Sequence, residues 1–143
     1  MRLLGIDLGT KTMGIAITDS LQVIASGLEN FVYGNNNLDI CVNKIKLLLQ
    51  RYQGDVANII LGYPTNINGA KNERTLLIEK FYKLLKPQIN VPIIFHDERY
   101  STIKATGYLK YEANLKSSQI KKIKDKMSAV IILDEYMQSH HNN

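Results

Sequence analysis

The chain has a single cysteine, Cys41, no tryptophan, three histidines and three prolines among its 143 residues. One cysteine excludes an internal disulfide and a cysteine-rich zinc site. Cys41 falls at a helical spacing, where packing is the expected role. His96, His140 and His141 lack the spacing of metal ligands, and the last two sit in a polar tail expected to fray. No apolar run approaches the roughly 20 residues needed to span a bilayer. The N-terminal stretch meets an acid at Asp7, too early for the apolar core of a secretory signal. A soluble, cytoplasmic product with no membrane partner is therefore expected.

What is present is an ordinary apolar share of 45%, enough for a real core. The length suits one domain, residues 1–143. The formal charge is +5, and it is unevenly spread. Between Arg99 and Lys126 eight basic residues face only two acids, Glu112 and Asp125. This segment carries the whole surplus. A local positive field attracts polyanions, although a lysine face kept for solubility would look the same.

The order of elements follows from periodicity and turn residues. Arg2 to Leu8, Met13 to Thr18 and Val23 to Val32 read as strands joined by short turns, an antiparallel meander. Leu38, Cys41, Val42, Ile45, Leu49 and Tyr52 recur at helical spacing and end at Gly54. Val56 to Gly62 reads as a buried strand, followed by a turn-rich loop from Tyr63 to Lys71. A second helix carries Leu77, Ile78, Phe81, Leu84 and Leu85, with Pro87 past its end. Val91 to Phe95 is a fifth strand that runs into His96-Asp97-Glu98-Arg99. Thr102 to Tyr111 reads as helix, then a lysine-rich stretch, then an apolar helix from Lys126 to Gln138. Three antiparallel strands extended by two parallel ones on right-handed crossovers give a mixed five-stranded α/β sheet with helices on both faces. That is the ribonuclease-H-like order.

Three acids fall where scaffold meets solvent. Alternation puts Leu3, Gly5 and Asp7 on one face of the first strand and Leu4, Ile6 and Leu8 on the other. Asp7 stands two residues before a glycine turn, so an Asx-turn is its structural alternative. Asp97 and Glu98 follow the fifth strand, and only one of them can share a face with Asp7. An acid at a helix start is the alternative for that pair. Asp125 lies 4, 7, 8 and 11 residues before Ala129, Ile132, Leu133 and Tyr136, on the stripe that the helix must bury. An inward carboxylate is costly without a cation or donors, and its alternative is an N-cap for a helix starting at Lys126.

Together these acids suggest a carboxylate cluster. Such hard oxygen ligands suit one or two Mg²⁺ or Mn²⁺ ions, which can clamp the attacking and leaving oxygens of a phosphodiester. The basic segment beside Glu98 and Asp125 would then hold a nucleic-acid backbone. Lys11 in the first turn and Arg99 are further phosphate or carboxylate partners, although a turn lysine is more often simply exposed.

Four segments in order resemble the YqgF (RuvX) family: Gly5-Ile6-Asp7-Leu8-Gly9-Thr10-Lys11, Gly62-Tyr63-Pro64 through Arg74, Asp97-Glu98-Arg99-Tyr100-Ser101-Thr102, and Lys121 to Leu133. These small ribonuclease-H-like proteins are described as Holliday-junction resolvases and pre-16S rRNA nucleases. The resemblance implies a divalent-metal nuclease with Asp7, Glu98 and Asp125 as catalytic and metal-binding acids, and it selects Glu98 over Asp97. It implies nucleic-acid contacts at Lys11, Arg74, Arg99, Lys121, Lys122 and Lys124. Pre-rRNA or branched DNA is the implied substrate, with ribosomal precursor particles as partners and a homodimer for junction cutting. The family shows two small residues after the last acid, and here Ser128 precedes Ala129.

Two other classes fit parts of the chain. Asp7-Leu8-Gly9-Thr10 also looks like the phosphate turn of the actin, Hsp70 and sugar-kinase superfamily, which closes two lobes around ATP. A non-catalytic RNA-binding factor in ribosome assembly would use the basic segment and tolerate loss of the acids.

Overall fold

The computed structural model describes residues 1–34, 37–64, 72–97 and 117–141, the last stretch by side chain from 127 to 140. The strands are β1 (Arg2–Leu8), β2 (Thr12–Thr18), β3 (Ala25–Val32), β4 (Val56–Tyr63) and β5 (Ile93–Asp97). The helices are α1 (Leu38–Arg51), α2 (Glu73–Leu85), a 3-10 turn at Lys86–Gln88, and α3 (Ser117–His141). The sheet order is β3-β2-β1-β4-β5. The first three strands are antiparallel, and β4 and β5 are added in parallel, as the sequence predicts.

Alternation along β1 divides the core into two layers. Leu4, Ile6 and Leu8 pack with Ile45 of α1 and Ile78 and Phe81 of α2. Leu3, Ala16 and Ile60 face the other way and meet Ala129, Ile132, Leu133 and Met137 of α3. Burying each large apolar side chain contributes roughly 1.5–3 kcal/mol, so both faces hold their helices firmly. Cys41 is fully buried in the first layer, the packing role expected of it.

Several boundaries differ from those in the sequence pattern. β3 begins at Ala25 because the Asp19 carboxylate accepts the N–H groups of Val23 at 2.7 Å and Ile24 at 2.9 Å. Gln22 takes a left-handed φ of 56° in that turn. α2 begins at Glu73, ahead of its apolar stripe, because Asn72 and Thr75 form a capping box. Thr75 N–H donates to Asn72 Oδ1 at 2.9 Å, and Asn72 N–H donates to Thr75 Oγ1 at 2.8 Å. β5 starts at Ile93, after Pro92, and continues through His96 to Asp97. α3 takes in the lysine-rich stretch and runs to His141, where His140 stacks on Tyr136 with ring centroids 3.9 Å apart. The polar tail is therefore helical through His141. The expected helix from Thr102 to Tyr111, and most of the loop from Tyr63 to Lys71, lie outside the described residues.

Candidate active site

β1, β4 and β5 are mutually parallel, so their carboxyl ends share one end of the sheet. Open α/β sheets bind ligands at that end. Asp7 is the penultimate residue of β1 and belongs to the α3-facing set with Leu3 and Gly5. Its side chain is only 15% exposed.

A cation already meets this carboxylate. The Arg74 guanidinium reaches over the end of β1, where Nη2 donates to Asp7 Oδ1 and Nε donates to the Leu8 carbonyl at 3.0 Å. The capping box puts Arg74 in the first turn of α2, between its two partners. The turn after β1 is closed separately, by Gly9 N–H donating to the Thr12 carbonyl at 2.8 Å. Asp7 is therefore in an ion pair, and the Asx-turn alternative is not its role.

Tyr33 braces the same turn, a function its sequence context does not signal. Its hydroxyl donates to the Gly9 carbonyl, and its N–H donates to the Lys11 carbonyl at 3.0 Å. Burial, with a smaller contribution from Cys41, pushes the Tyr33 hydroxyl up to about 12, so it remains a donor. Lys11 stands exposed in this turn, at the same sheet end as Asp7.

On β5 the two faces alternate. Ile94 packs against the α3-side cluster, and His96 Nε2 lies 3.9 Å from Glu135 Oε2 of α3. Phe95 contacts Tyr82 of α2, with ring centroids 4.9 Å apart. The His96–Glu135 approach links β5 to α3, and nothing in the sequence spacing announces it.

Other predicted site residues are reached only in part. Glu98 and Arg99 lie outside the described residues. Lys121, Lys122, Lys124 and Asp125 lie on the α3 backbone, before the side chains described from 127 onward. Because α3 begins at Ser117, Asp125 is interior to the helix and is not an N-cap. Of the residues expected to share its stripe, Ala129, Ile132 and Leu133 are fully enclosed and Tyr136 is partly buried. Among the described residues no group of three metal-ligating side chains converges. Asp7 is the one proposed ligand whose side chain is described. A mostly enclosed carboxylate that already holds a cation at a strand end suits a hard divalent ion.

Residues 1–139 match the family described as RuvX: Holliday junction resolvase. The chain belongs to the RuvX family. A relative from Ureaplasma parvum, named a pre-16S rRNA nuclease, is 49% identical over the full length of both chains. A relative of the same name from Mycoplasmopsis pulmonis is 41% identical, covering 97% of this chain and 94% of that one. Among solved structures, Thermus thermophilus RuvC in complex with a Holliday junction substrate superposes with a TM-score of 0.58 at 14% identity. It covers 98% of this RuvX chain and 96% of its own. The fowlpox virus Holliday junction resolvase gives 0.57 at 18% identity, covering 97% and 99%. At such identities these neighbours speak to the fold alone, which is ribonuclease-H-like. No helix among the described residues is long and apolar enough to cross a membrane.

Proposed function

We propose that this RuvX protein is a divalent-metal nuclease, a single domain over residues 1–143, that hydrolyses phosphodiester bonds at the 5′ end of pre-16S rRNA in the cytoplasm. The reading rests on the full-length match to relatives named for that activity. The structural observation that carries it is Asp7, a shielded carboxylate at the carboxyl end of a central strand.

Asp7, Glu98 and Asp125 would hold one or two Mg²⁺ or Mn²⁺ ions, which supply Lewis-acid stabilisation and an activated water at the scissile phosphate. The β5 alternation supports Glu98 as the ligand, because Ile94 and His96 face α3 while Asp97 belongs with Phe95 on the α2 side. The seating of α3 supports Asp125. The Ala129 carbonyl lies against Gly5, 3.1 Å from where a Cβ there would stand. Asp7 is two strand residues from that contact and Asp125 four helical residues, each a step of about 6 Å. Lys11, Arg99, Lys121, Lys122 and Lys124 hold phosphates on either side of the acids, which positions the strand by charge. Ribosomal precursor particles are the proposed partners.

Junction cutting is the second reading. The family description favours it, and it would use a pair of subunits. A cleavage panel separates the two. Purified protein with Mn²⁺ is offered the 5′-extended 16S precursor, an unrelated single strand and a four-way DNA junction. Cutting of the precursor by the parent and not by Asp7→Asn is expected. Junction cutting alone would favour the second reading. Binding without any cutting would leave a non-catalytic assembly factor.

A further inference from the structure

We propose that Arg74 is the counter-ion of metal-free Asp7, and that it must leave Asp7 for a phosphate of the nucleic acid as the metal arrives. Metal and nucleic acid would then bind cooperatively through this one side chain. The inference rests on the reading of Asp7 as a metal ligand and adds a regulation to that site.

Asp7 is mostly enclosed, and a carboxylate in such a place is costly without a positive partner. Arg74 supplies one, with Nη2 on Asp7 Oδ1 and Nε on the Leu8 carbonyl at 3.0 Å. Its backbone cannot drift, because Asn72 and Thr75 clamp the first turn of α2 around it. Its side chain is 33% exposed and can swing out without opening the core.

A divalent ion on Asp7 would put three positive charges within a few ångströms of one another. Like charges that close disfavour joint occupancy, and the pair loses the attraction that held the guanidinium in place. The planar fork of an arginine suits a phosphate at least as well as a carboxylate. A backbone phosphate at this sheet end therefore gives Arg74 an alternative partner and frees the Asp7 oxygen. By linkage, whatever factor the nucleic acid adds to metal affinity, the metal adds to nucleic-acid affinity.

The test is a Mn²⁺ titration of the full chain, read by the electron paramagnetic resonance of free Mn²⁺. It is run with and without a phosphorothioate single-stranded oligonucleotide that resists cutting. Without the oligonucleotide, Arg74→Gln is expected to bind Mn²⁺ about tenfold more tightly than the parent, within the usual range of coupling between sites. The oligonucleotide should raise Mn²⁺ affinity in the parent, and that gain should shrink in Arg74→Gln. Equal or weaker Mn²⁺ binding by Arg74→Gln overturns the proposal and makes Arg74 a brace for Asp7. If Arg74→Gln does not fold, Arg74→Met replaces it. Methionine keeps much of the side-chain length without the charge, so tighter Mn²⁺ binding is again expected, and unchanged binding overturns the proposal. Asp7→Asn tests the underlying reading separately. If that variant keeps parental Mn²⁺ affinity, Asp7 is not a ligand, whatever Arg74 does.

Discussion

Gly5 of β1 lies directly beneath Leu133 of α3, so closely that a Cβ at position 5 would stand 2.6 Å from Leu133 Cγ and 3.1 Å from the Ala129 carbonyl. The missing side chain lets the helix settle onto the strand that carries Asp7. Gly5→Ala is expected to cost about 1–3 kcal/mol by overpacking, and thermal denaturation should show a midpoint several degrees lower. Activity should fall further than stability, because lifting α3 also moves Asp125, and misplacement of about 1 Å can cost on the order of a hundredfold. Parental stability and cutting in Gly5→Ala would mean that this close approach does not matter.

Asp7→Asn, Glu98→Gln and Asp125→Asn should each reduce Mn²⁺-dependent cleavage by at least about a hundredfold, equivalent to roughly 2.7 kcal/mol of barrier. Circular dichroism should stay near parental, and all three variants should still bind the oligonucleotide, with Asp7→Asn losing the gain that Mn²⁺ adds. Three variants that all cut at the parental rate would remove these acids from the site.

Affinity for nucleic acid should fall steeply as salt rises. Replacing Lys121, Lys122 and Lys124 with glutamine should flatten the log–log slope by about 0.7–0.9 for each phosphate that no longer meets a lysine. Fluorescence anisotropy across a salt series measures this. An unchanged slope in the triple variant would move the binding surface elsewhere.

Burial pushes the Cys41 thiol up to about 12, so the folded chain holds it as a neutral packing group. A thiol reagent at pH 8 should react only at the rate of unfolding, and denaturant should expose one equivalent. Rapid labelling of the native protein would contradict this.

Burial also raises the Asp134 carboxyl above its ordinary value of 3.8. The folded state thus prefers the protonated acid, a preference present below 3.8 and lost as pH climbs through the raised value. Asp134→Asn should therefore stabilise the protein at pH 7 and make no difference near pH 3. Thermal melts at the two pH values decide it, and a variant less stable than the parent at pH 7 would contradict the assignment.

The sheet order was legible because each strand carries its own pattern: Arg2–Leu8 alternates around a glycine, and β4 holds the continuous buried run from Ile59 to Gly62. The ends were less so, because local side-chain hydrogen bonds that leave no mark in the apolar pattern decide them. Asp19 captures the N–H groups of Val23 and Ile24 and delays β3. Asn72 starts α2 before any apolar periodicity appears. α3 includes the lysine-rich stretch, where Ile120 and Ile123 fall at helical spacing but are outnumbered by charges, so the strongly apolar pattern begins only further along.

The candidate site was legible to a similar depth. Asp7 stood out as an acid closing a core strand, on the face that alternation assigned to it. That Arg74 would reach it from 67 residues away was not readable, because their meeting depends on the crossover that brings α2 over the end of β1. The resemblance flagged Arg74 as a nucleic-acid contact, and its partners in the fold include the Asp7 carboxylate and the Leu8 carbonyl. Tyr33 was missed for the same reason, its bond to Gly9 spanning 24 residues.

The most direct measurement is a crystal structure with Mn²⁺ soaked in, read by anomalous scattering. The account predicts an ion bound to oxygens of Asp7, Glu98 and Asp125 at about 2.0–2.5 Å, with the Arg74 guanidinium withdrawn from Asp7. A manganese peak elsewhere, with Asp7 still paired to Arg74 and the three acids pointing apart, would contradict it.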